Sequence, residues 1–506
     1  MNKSFSGLVP SLFIALFIVL ISQSSCKRDA YEDTSSSPLR FSTDTVVFDT
    51  IFTTVGSITK RLKVYNDHDK KIKISNISIA GNSPGVYSMN VDGEKGNDLD
   101  DIEILGNDSM YIFLEAIIDM TSENAPFYRK DSITFLTNGS IQDVDLIAWG
   151  QNAHYYYKNN ADSFYTGDGD TLLFSHYLID QDTHWENDKP HLVFKSVIVR
   201  NGATLTIDPG AKIYLHTNAN IIVHDNAKLN INGGTSEESR VLITGDRLDD
   251  FYKTLPGQWG RIWYCQDAGS SFIKNADISN GTTGIYLGGP YIAEEFTTSL
   301  TPELNIEKTK VTNMLRHGLL FQSAQAKVDN AEISDCGEMN LFAYIGGDYQ
   351  FRHCTFANYF GGRKSPVLVL TNYVTDDQLD IDYHRNLSIE MHNSIIYGGF
   401  ESELVLDNDE INQFDYSFNH CLIRLDDEDF DLNDVSHYRS CLFNEDPSFI
   451  KKYQSRTSNY QLDTLSVAQN AAHDSIAELL PLQLDLLNNI RWLDEGPDIG
   501  AYERIE

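Results

Sequence analysis

A six-residue pattern recurs seven times in the second half of the chain and constrains its fold more than any other feature. Each copy has an apolar residue first, a polar residue at plus two, a small residue at plus three and an apolar residue at plus five. In a straight strand the first and sixth positions would face opposite ways. The pattern therefore predicts a bend between the first position and plus three, and Asn and His tolerate the left-handed backbone that such a bend can require. The copies begin at Ile273, Ile306, Val328, Phe351, Met391, Phe418 and Tyr438.

The spacing of the copies predicts the architecture. The shorter spacings, 20 to 23 residues, match one coil of a parallel β-helix, and the longer ones, 27 to 40 residues, indicate coils with loop insertions. An earlier stretch repeats with a period of 24, because 199–207 aligns with 223–231 in the same apolar–polar alternation. We therefore expect an all-β chain with a parallel β-helix over 191–445. An antiparallel sandwich is the alternative, but a sandwich does not require a small residue at a fixed phase.

The charge of the chain disfavours several classes of partner. The 506 residues include 39 Lys and Arg against 73 Asp and Glu, which gives a formal net charge of −34. This charge argues against nucleic acid and anionic surfaces as partners. It also disfavours a polyanionic substrate unless a cation such as calcium intervenes. The simpler explanation is an acidic surface that keeps a secreted protein soluble.

The N-terminus has the features of a targeting segment. Residues 12–21 form an unbroken apolar run that is short for a membrane span but suits the core of a signal peptide. The small residues that follow, and then Cys26, resemble a bacterial lipoprotein cleavage site, where the mature protein begins at a Cys acylated with fatty acids such as palmitate. The resemblance implies a signal peptide at 1–25, a lipidated Cys26 and a flexible tether over 26–38. It further implies an outer-membrane lipoprotein at the cell surface of a diderm bacterium. A plain secretory signal with an incidental Cys is the alternative.

A separate domain is expected over 39–150. Short apolar segments between turns that contain Asn, Asp and Gly predict seven strands, at 46–48, 62–65, 72–74, 77–79, 111–114, 133–136 and 144–147. These strands and the run at 52–66 resemble immunoglobulin-like β-sandwiches of the abnormal-spindle and hydin type, which are spacers or interaction modules. Residues 151–190 form a bridge and N-terminal cap. Its tyrosines, Tyr155, Tyr156 and Tyr157, are expected to cover the first coil, with stacking on sugars as the alternative.

Several motifs of the C-terminal part resemble one family. The runs at 202–213, 244–249 and 256–260 are similar to those of right-handed parallel β-helix lipoproteins of unassigned role. The closing run at 496–503, Gly-Pro-Asp-Ile-Gly-Ala-Tyr-Glu, resembles the tail of many extracellular β-helix proteins, including some polysaccharide lyases. The resemblance implies a right-handed helix and a C-terminal cap over 446–506, and we expect the closing run to plug the last coil.

The cysteines are not spaced as a disulfide framework. Cys354, Cys421 and Cys441 occupy the small position of the pattern, where a free thiol behaves as a small hydrophobe. Cys421 and Cys441 fall on successive coils, so a bridge between them is the alternative to two free thiols. No cysteine spacing matches a metal site.

The insertion at 246–261 holds the best mixture of chemical groups. Carboxylates, cations and an aromatic platform could form a sugar site there, whereas the favoured interpretation is a set of internal ion pairs that pins the loop, with Trp259 buried. The candidate binding or catalytic residues are Asp246, Arg247, Asp249, Asp250, Lys253, Trp259 and Arg261. The acidic run at 426–434 could hold calcium but lacks the glycine and ligand spacing of a calcium loop. No other cofactor and no metal site is expected.

These observations favour a non-catalytic lipoprotein of the cell envelope. Its β-helix would be a binding or assembly surface for a glycan or for an outer-membrane protein, and the lipid anchor would bind the membrane. A polysaccharide-cleaving enzyme, a lyase rather than a hydrolase, is the first alternative. It is weakened because the chain lacks the Gly-His-Gly pattern of polygalacturonases and the Arg-containing signature of pectate lyases. A rigid structural spacer is the second alternative.

Overall fold

The chain forms two compact units, Met1–Asn152 and Ala153–Glu506. A computed structural model describes residues 31–32, 34, 37–120, 127–165, 171–249, 251–289, 302–376, 381–426, 430–454 and 457–504. The expected signal peptide and Cys26 lie outside the described residues. No helix in the described part of the chain is long and apolar enough to cross a membrane.

The N-terminal unit consists of two five-stranded sheets within its described residues. One sheet has, in order, Arg40–Phe41, Lys60–Asn66, Asp108–Ala116, Tyr87–Val91 and Glu94–Lys95. The other has Thr45–Phe52, Ser140–Gln151, Phe127–Thr137, Ile72–Ile79 and Asp98–Ile104. Neighbouring strands are antiparallel, except that Ser140–Gln151 runs parallel to Thr45–Phe52. Alternate side chains of both sheets meet in one apolar core.

One strand prediction in this unit was wrong. Segments 72–74 and 77–79 are parts of the single strand Ile72–Ile79. A β-bulge lies between Ile74 and Asn76, where the pairing with the neighbouring strand shifts by one residue. The extra residue lets Ile74 and Ile77 both face the core, although their spacing of three breaks the strict alternation of a strand.

The C-terminal unit is built from three long sheets. Sheet 1 contains His154–Tyr156, His191–Val193, Lys212–Leu215, Val241–Gly245, Ala276–Ser279, Lys310–Thr312, Glu332–Ser334, Thr355–Asn358, Ile395–Gly398, Leu422–Ile423 and Leu442–Phe443. Sheet 2 contains Asn160–Tyr165, Thr171–Ile179, Val197–Val199, Ile221–Val223, Ile262–Tyr264, Ile285–Leu287, Leu319–Gln322, Leu341–Tyr344, Leu368–Thr371 and Leu404–Asp407. Sheet 3 contains Thr183–Trp185, Thr204–Ile207, Lys228–Asn232, Ser271–Lys274, Glu303–Glu307, Gln325–Asp329, Gly347–Arg352, Leu387–His392, Phe414–Asn419 and Tyr438–Arg439.

The chain visits sheets 1, 2 and 3 in turn, and we call each such visit a circuit. Strands of successive circuits pair in parallel, except for the antiparallel hairpin that begins sheet 2. Their buried side chains form one continuous core. The unit is therefore all-β with large parallel sheets, an arrangement compatible with a parallel β-helix.

The six-residue pattern marks the corner between sheet 3 and sheet 1. The first apolar residues of the seven copies pair in one unbroken register, from Ile273 with Ile306 to Phe418 with Tyr438. All seven plus-two residues have a left-handed backbone, with φ between 49° and 53°. The small plus-three residues form an inner column just past the corner, because Ala276, Ala331 and Cys354 are all buried. The bend predicted from the sequence is the corner of the circuit.

Two short hairpins and three short helical segments complete the described part of the unit. Short antiparallel hairpins form from Tyr373–Asp376 with Ile381–His384 and from Phe449–Gln454 with Thr457–Leu462. The helical segments of the described chain are Asp474–Ala477 and the 3₁₀ turns Glu237–Ser239 and Tyr252–Thr254.

Cys421 and Cys441 are neighbours and both carry free thiols.

The sequence led us to expect that the closing run plugs the last coil, and this prediction was wrong. It lies against the outer face of sheet 1, beside circuits in the middle of the array. The Ala501 amide donates to Thr355 Oγ1 at 2.9 Å, and the Tyr502 hydroxyl donates to Glu332. Ile499 and Ala501 join a second apolar cluster with Ile395 and other outward side chains of sheet 1. We call the described residues of 446–506 the C-terminal segment. The burial of this apolar face holds the segment in place.

Candidate functional site

The 246–261 insertion lies at the corner between sheet 1 and sheet 2. It follows the strand Val241–Gly245 and precedes Ile262–Tyr264. Trp259 is 1% exposed, its Nε1 donates to the carbonyl of Ser279 at 2.8 Å, and its ring contacts the backbone of Gly281. Trp259 thus fastens the insertion to the core, as the clasp interpretation predicts.

The charged candidates of the insertion fall into separate groups. Arg247 stacks on Tyr252, with its guanidinium carbon 3.6 Å from the ring centroid, and Arg247 Nε lies 3.6 Å from a carboxylate oxygen of the buried Asp249. Arg261 lies 5.8 Å from the ring centroid of Tyr286 in sheet 2. Lys253 is exposed, and Asp250 lies outside the described residues.

Asp246 belongs to a different structure, a column of side chains on the outside of the same corner. Tyr157, Phe194, His216 and Asp246 each follow directly after a strand of sheet 1. The last residues of these strands pair in register, Tyr156 with Val193, Val193 with Leu215 and Leu215 with Gly245. The four side chains are therefore one strand spacing apart, about 4.8 Å. We call Tyr157, Phe194, His216 and Asp246 the corner ladder.

The rings of the corner ladder stack on one another. The centroids of Tyr157 and Phe194 are 4.8 Å apart with the ring planes 9° apart, and the rings of Tyr155 and Tyr157 stack with their centroids 6.1 Å apart. Phe194 and His216 are 5.2 Å apart. His216 Nδ1 donates to Asp246 at 2.6 Å, and this hydrogen bond raises the pKa of His216. Tyr157 is 48% exposed, so the ladder presents an aromatic face to solvent.

A cavity of about 370 Å³ adjoins the corner ladder. Its lining combines two aromatic rings, an exposed ammonium and the polar groups of a turn. The lining residues are Phe174, Ser175, Phe194, Lys195, Ser196, Thr217, Asn218 and Ala219. A concave site with aromatic walls and a few polar groups is typical of sites for small organic ligands. Sugars fit such a site because their C–H faces pack on rings and their hydroxyls bind polar groups.

The sequence indicated only part of this arrangement. Tyr156 does pack inside the first circuit, where its ring lies 4.6 Å from that of Trp185 and its hydroxyl binds His191 Nδ1 at 2.7 Å. Tyr157, the next residue, points outward. Phe194 and His216 were missed, although they are 22 residues apart, which is one circuit, and a search for aromatics at that period would have found them.

The acidic run at 426–434 shows no calcium site in its described part. Residues 427–429 lie outside the described residues. The carboxylates of Asp431 and Asp434 accept hydrogen bonds from the backbone amides two residues later, those of Asn433 and Ser436. Across the described chain, His, Cys, Asp and Glu form no group of three that could hold a metal ion.

Comparison with known proteins shows no family for this chain. No protein-family model and no curated protein matches it. Among solved structures, the PapD-like domain 7 of human CEP192 matches at 8% identity and a TM-score of 0.16, over 30% of this chain and 97% of that one. A protein of unknown function from Porphyromonas gingivalis W83 matches at 9% identity and 0.17, over 29% and 57%. A family 123 glycoside hydrolase from Clostridium perfringens matches at 8% and 0.16, over 22% and 25%.

Each of these matches covers less than a third of this chain. The chain covers 25% of the glycoside hydrolase and 32% of a Vibrio cholerae protease. TM-scores this low establish neither a shared fold nor a shared activity.

Proposed function

We propose that this protein is a non-catalytic lipoprotein of the cell envelope that binds glycan at the corner ladder. In this proposal Cys26 carries the lipid anchor, and 26–38 is a tether to the outer membrane of a diderm bacterium. The N-terminal unit is an immunoglobulin-like spacer, and the C-terminal unit is a right-handed parallel β-helix that presents the binding surface.

One feature of each unit supports this architecture. The N-terminal unit has two mostly antiparallel sheets around one core, as immunoglobulin-like domains do. The C-terminal unit repeats one circuit through three parallel sheets, and each circuit contacts its neighbours as in solenoid proteins. A rigid array of this kind holds residues of successive circuits at a fixed spacing, which suits a repeating polymer.

The corner ladder is the observation that carries the glycan proposal. It places Tyr157 and Phe194 one strand spacing apart with nearly parallel rings, beside a cavity lined by hydroxyls, an amide and Lys195. A binding role accounts for these rings better than a role in packing, because Tyr157 is among the most exposed aromatic side chains of the unit. The ladder offers an aromatic face and hydrogen-bonding groups without a nucleophile aligned with a base, which favours binding over cleavage.

Affinity electrophoresis with ladder variants tests the proposal. The protein would be run through native gels that contain polygalacturonate, xylan or chondroitin sulfate, three polysaccharides of different charge and linkage. We expect at least one of them to retard the protein. Phe194→Ala and Tyr157→Ala should each lower the affinity measured from that retardation about fivefold. The reason is that a stacked ring contributes about 1 kcal/mol to binding.

Tyr128→Ala is the matched control, since Tyr128 is an exposed aromatic residue of the N-terminal unit. The control should migrate as the wild type does in every gel. Unchanged retardation of a variant that combines Phe194→Ala with Tyr157→Ala would contradict glycan binding at the ladder, and so would a wild-type protein that none of the three polysaccharides retards.

A further inference from the structure

A second cavity, of about 350 Å³, lies between the outer face of sheet 1 and the C-terminal segment. It shares no lining residue with the cavity at the corner ladder. Lys310, Thr312 and Glu332 come from two adjacent strands of sheet 1, and Asn459 and Gln461 come from the strand Thr457–Leu462. The remaining lining residues are Asn313, Asp335, Tyr453, Ser458 and Tyr502.

Two buried carboxyl groups form the back of this cavity and already have partners. Glu332 is 6% exposed and accepts hydrogen bonds from Ser334 Oγ at 2.6 Å and from the Tyr502 hydroxyl. Asp335 is 7% exposed and is hydrogen-bonded to Ser458 Oγ at 2.5 Å and to a buried tyrosine hydroxyl, that of Tyr460. The hydroxyls of Ser458, Tyr460 and Tyr502 fix the C-terminal segment on sheet 1, so the two acids shape the cavity and leave ligand binding to other groups.

The groups at the mouth of the cavity are different. Within the described residues, the Lys310 ammonium, the Thr312 hydroxyl, the Gln461 side-chain amide and Asn459 Nδ2 have no hydrogen-bond or ion-pair partner. Lys310 Nζ lies 5.6 Å from the ring centroid of Tyr502, which places the charge beside the cavity. All four residues are partly exposed. One cation and three neutral polar groups therefore converge on a space large enough for a small ligand.

We propose that this cavity binds a monosaccharide unit that carries one carboxylate. Lys310 pairs with the carboxylate, and Thr312, Asn459 and Gln461 bind the ring hydroxyls. A charged hydrogen bond to a carboxylate is stronger than one to a neutral oxygen, so Lys310 sets the preference for an acidic sugar. The site does not depend on the corner ladder, and either of the two proposals can fail alone.

The charge around the cavity predicts how binding changes with pH. Burial raises the pKa of Asp335 to about 7, so this group is largely neutral in mildly acidic solution. Burial also keeps the hydroxyls of Tyr460 and Tyr502 neutral by raising their pKa. Glu332, Lys310 and Tyr453 are the other titratable groups that line the cavity. When Asp335 ionises above about pH 7, its negative charge opposes the ligand carboxylate, and binding weakens.

Calorimetry with two sugars of the same ring configuration tests the proposal. Galacturonate and galactose differ at the group that Lys310 is proposed to bind. We expect galacturonate to bind at least tenfold more tightly than galactose, and to bind several-fold more weakly at about pH 8 than at about pH 6. Lys310→Met, which keeps the aliphatic stem, should remove the preference for galacturonate. Gln461→Ala should weaken the binding of both sugars.

Lys212→Met is the control, because Lys212 is an exposed lysine on the same sheet and lies outside the cavity. Thermal unfolding of each variant checks that the C-terminal segment is still docked. Equal binding of the two sugars, galacturonate binding that persists in Lys310→Met, or no binding of either sugar would overturn the proposal. Galacturonate binding that is lost only in Phe194→Ala would place the acidic sugar at the corner ladder and would also overturn it.

Discussion

Trp259 decides whether the 246–261 insertion is a clasp or a sugar platform, and Trp259→Ala separates the two. The indole is 1% exposed, packs on Gly281 and donates to the Ser279 carbonyl. Removing a buried Trp side chain costs about 3–5 kcal/mol. The Ser279 carbonyl also loses its donor, which adds about 1 kcal/mol unless water reaches it. We expect the free energy of unfolding of the C-terminal unit to fall by about 4 kcal/mol.

Urea unfolding followed by far-ultraviolet circular dichroism measures this change. The matched control is Trp492→Ala, because Trp492 lies in the same unit but is 38% exposed. The control should change the free energy of unfolding by less than about 1 kcal/mol. If Trp259→Ala unfolds as the wild type does and yet loses retardation by polysaccharide, the indole faces a ligand and the clasp assignment is wrong.

Three further predictions test other parts of the molecule. Cys26→Ser should release the protein from the membrane fraction, because the acyl chains provide most of the membrane affinity; unchanged fractionation would contradict lipidation. Ala331→Phe should lower the free energy of unfolding by about 1–3 kcal/mol or more in urea titrations, because the inner column has no space for a ring; wild-type stability would refute the register. Asp335→Asn should remove a pH dependence. The folded state holds a proton on Asp335 up to about pH 7 that the unfolded chain releases near pH 4, so stability falls as pH rises through this window, by up to about 4 kcal/mol. The difference in unfolding free energy between variant and wild type should therefore change between about pH 4 and about pH 7, and a constant difference would show that Asp335 is solvated.

The circuit could be predicted from the sequence because its rule is local. The bend needs a left-handed residue two positions after a buried one, and the phase of the pattern identifies that residue even where its type does not. Lys308 and Ser440 have φ values of 49° and 53°, although neither is a residue that favours this region. The apolar residues on either side over-determine the bend, so the position matters more than the side chain.

The proposed binding surfaces could not be predicted in the same way, because they depend on contacts between circuits and across long stretches of chain. Phe194 and His216 stack because their strands pair in register, a fact that neither local segment contains. The second cavity needs Glu332 beside Tyr502, which is 170 residues further along the chain. No periodicity links those two positions. The charged residues of the insertion at 246–261 are close in sequence, which made the insertion a candidate site. In the structure they contact different neighbours.

The C-terminal segment makes circuits in the middle of the array depend on residues much later in the chain. Arrays of repeats can fold from one end, since each circuit needs only its neighbours. Here the circuits that contain Asn330, Glu332 and Thr355 are completed by Arg491, Tyr502 and Ala501, each of which lies well over a hundred residues further along the chain. Until those residues dock, Glu332 lacks its tyrosine partner and the apolar outer face of sheet 1 is open to other chains. Loss of the residues from Arg491 onward would therefore expose a surface that lies well over a hundred residues upstream.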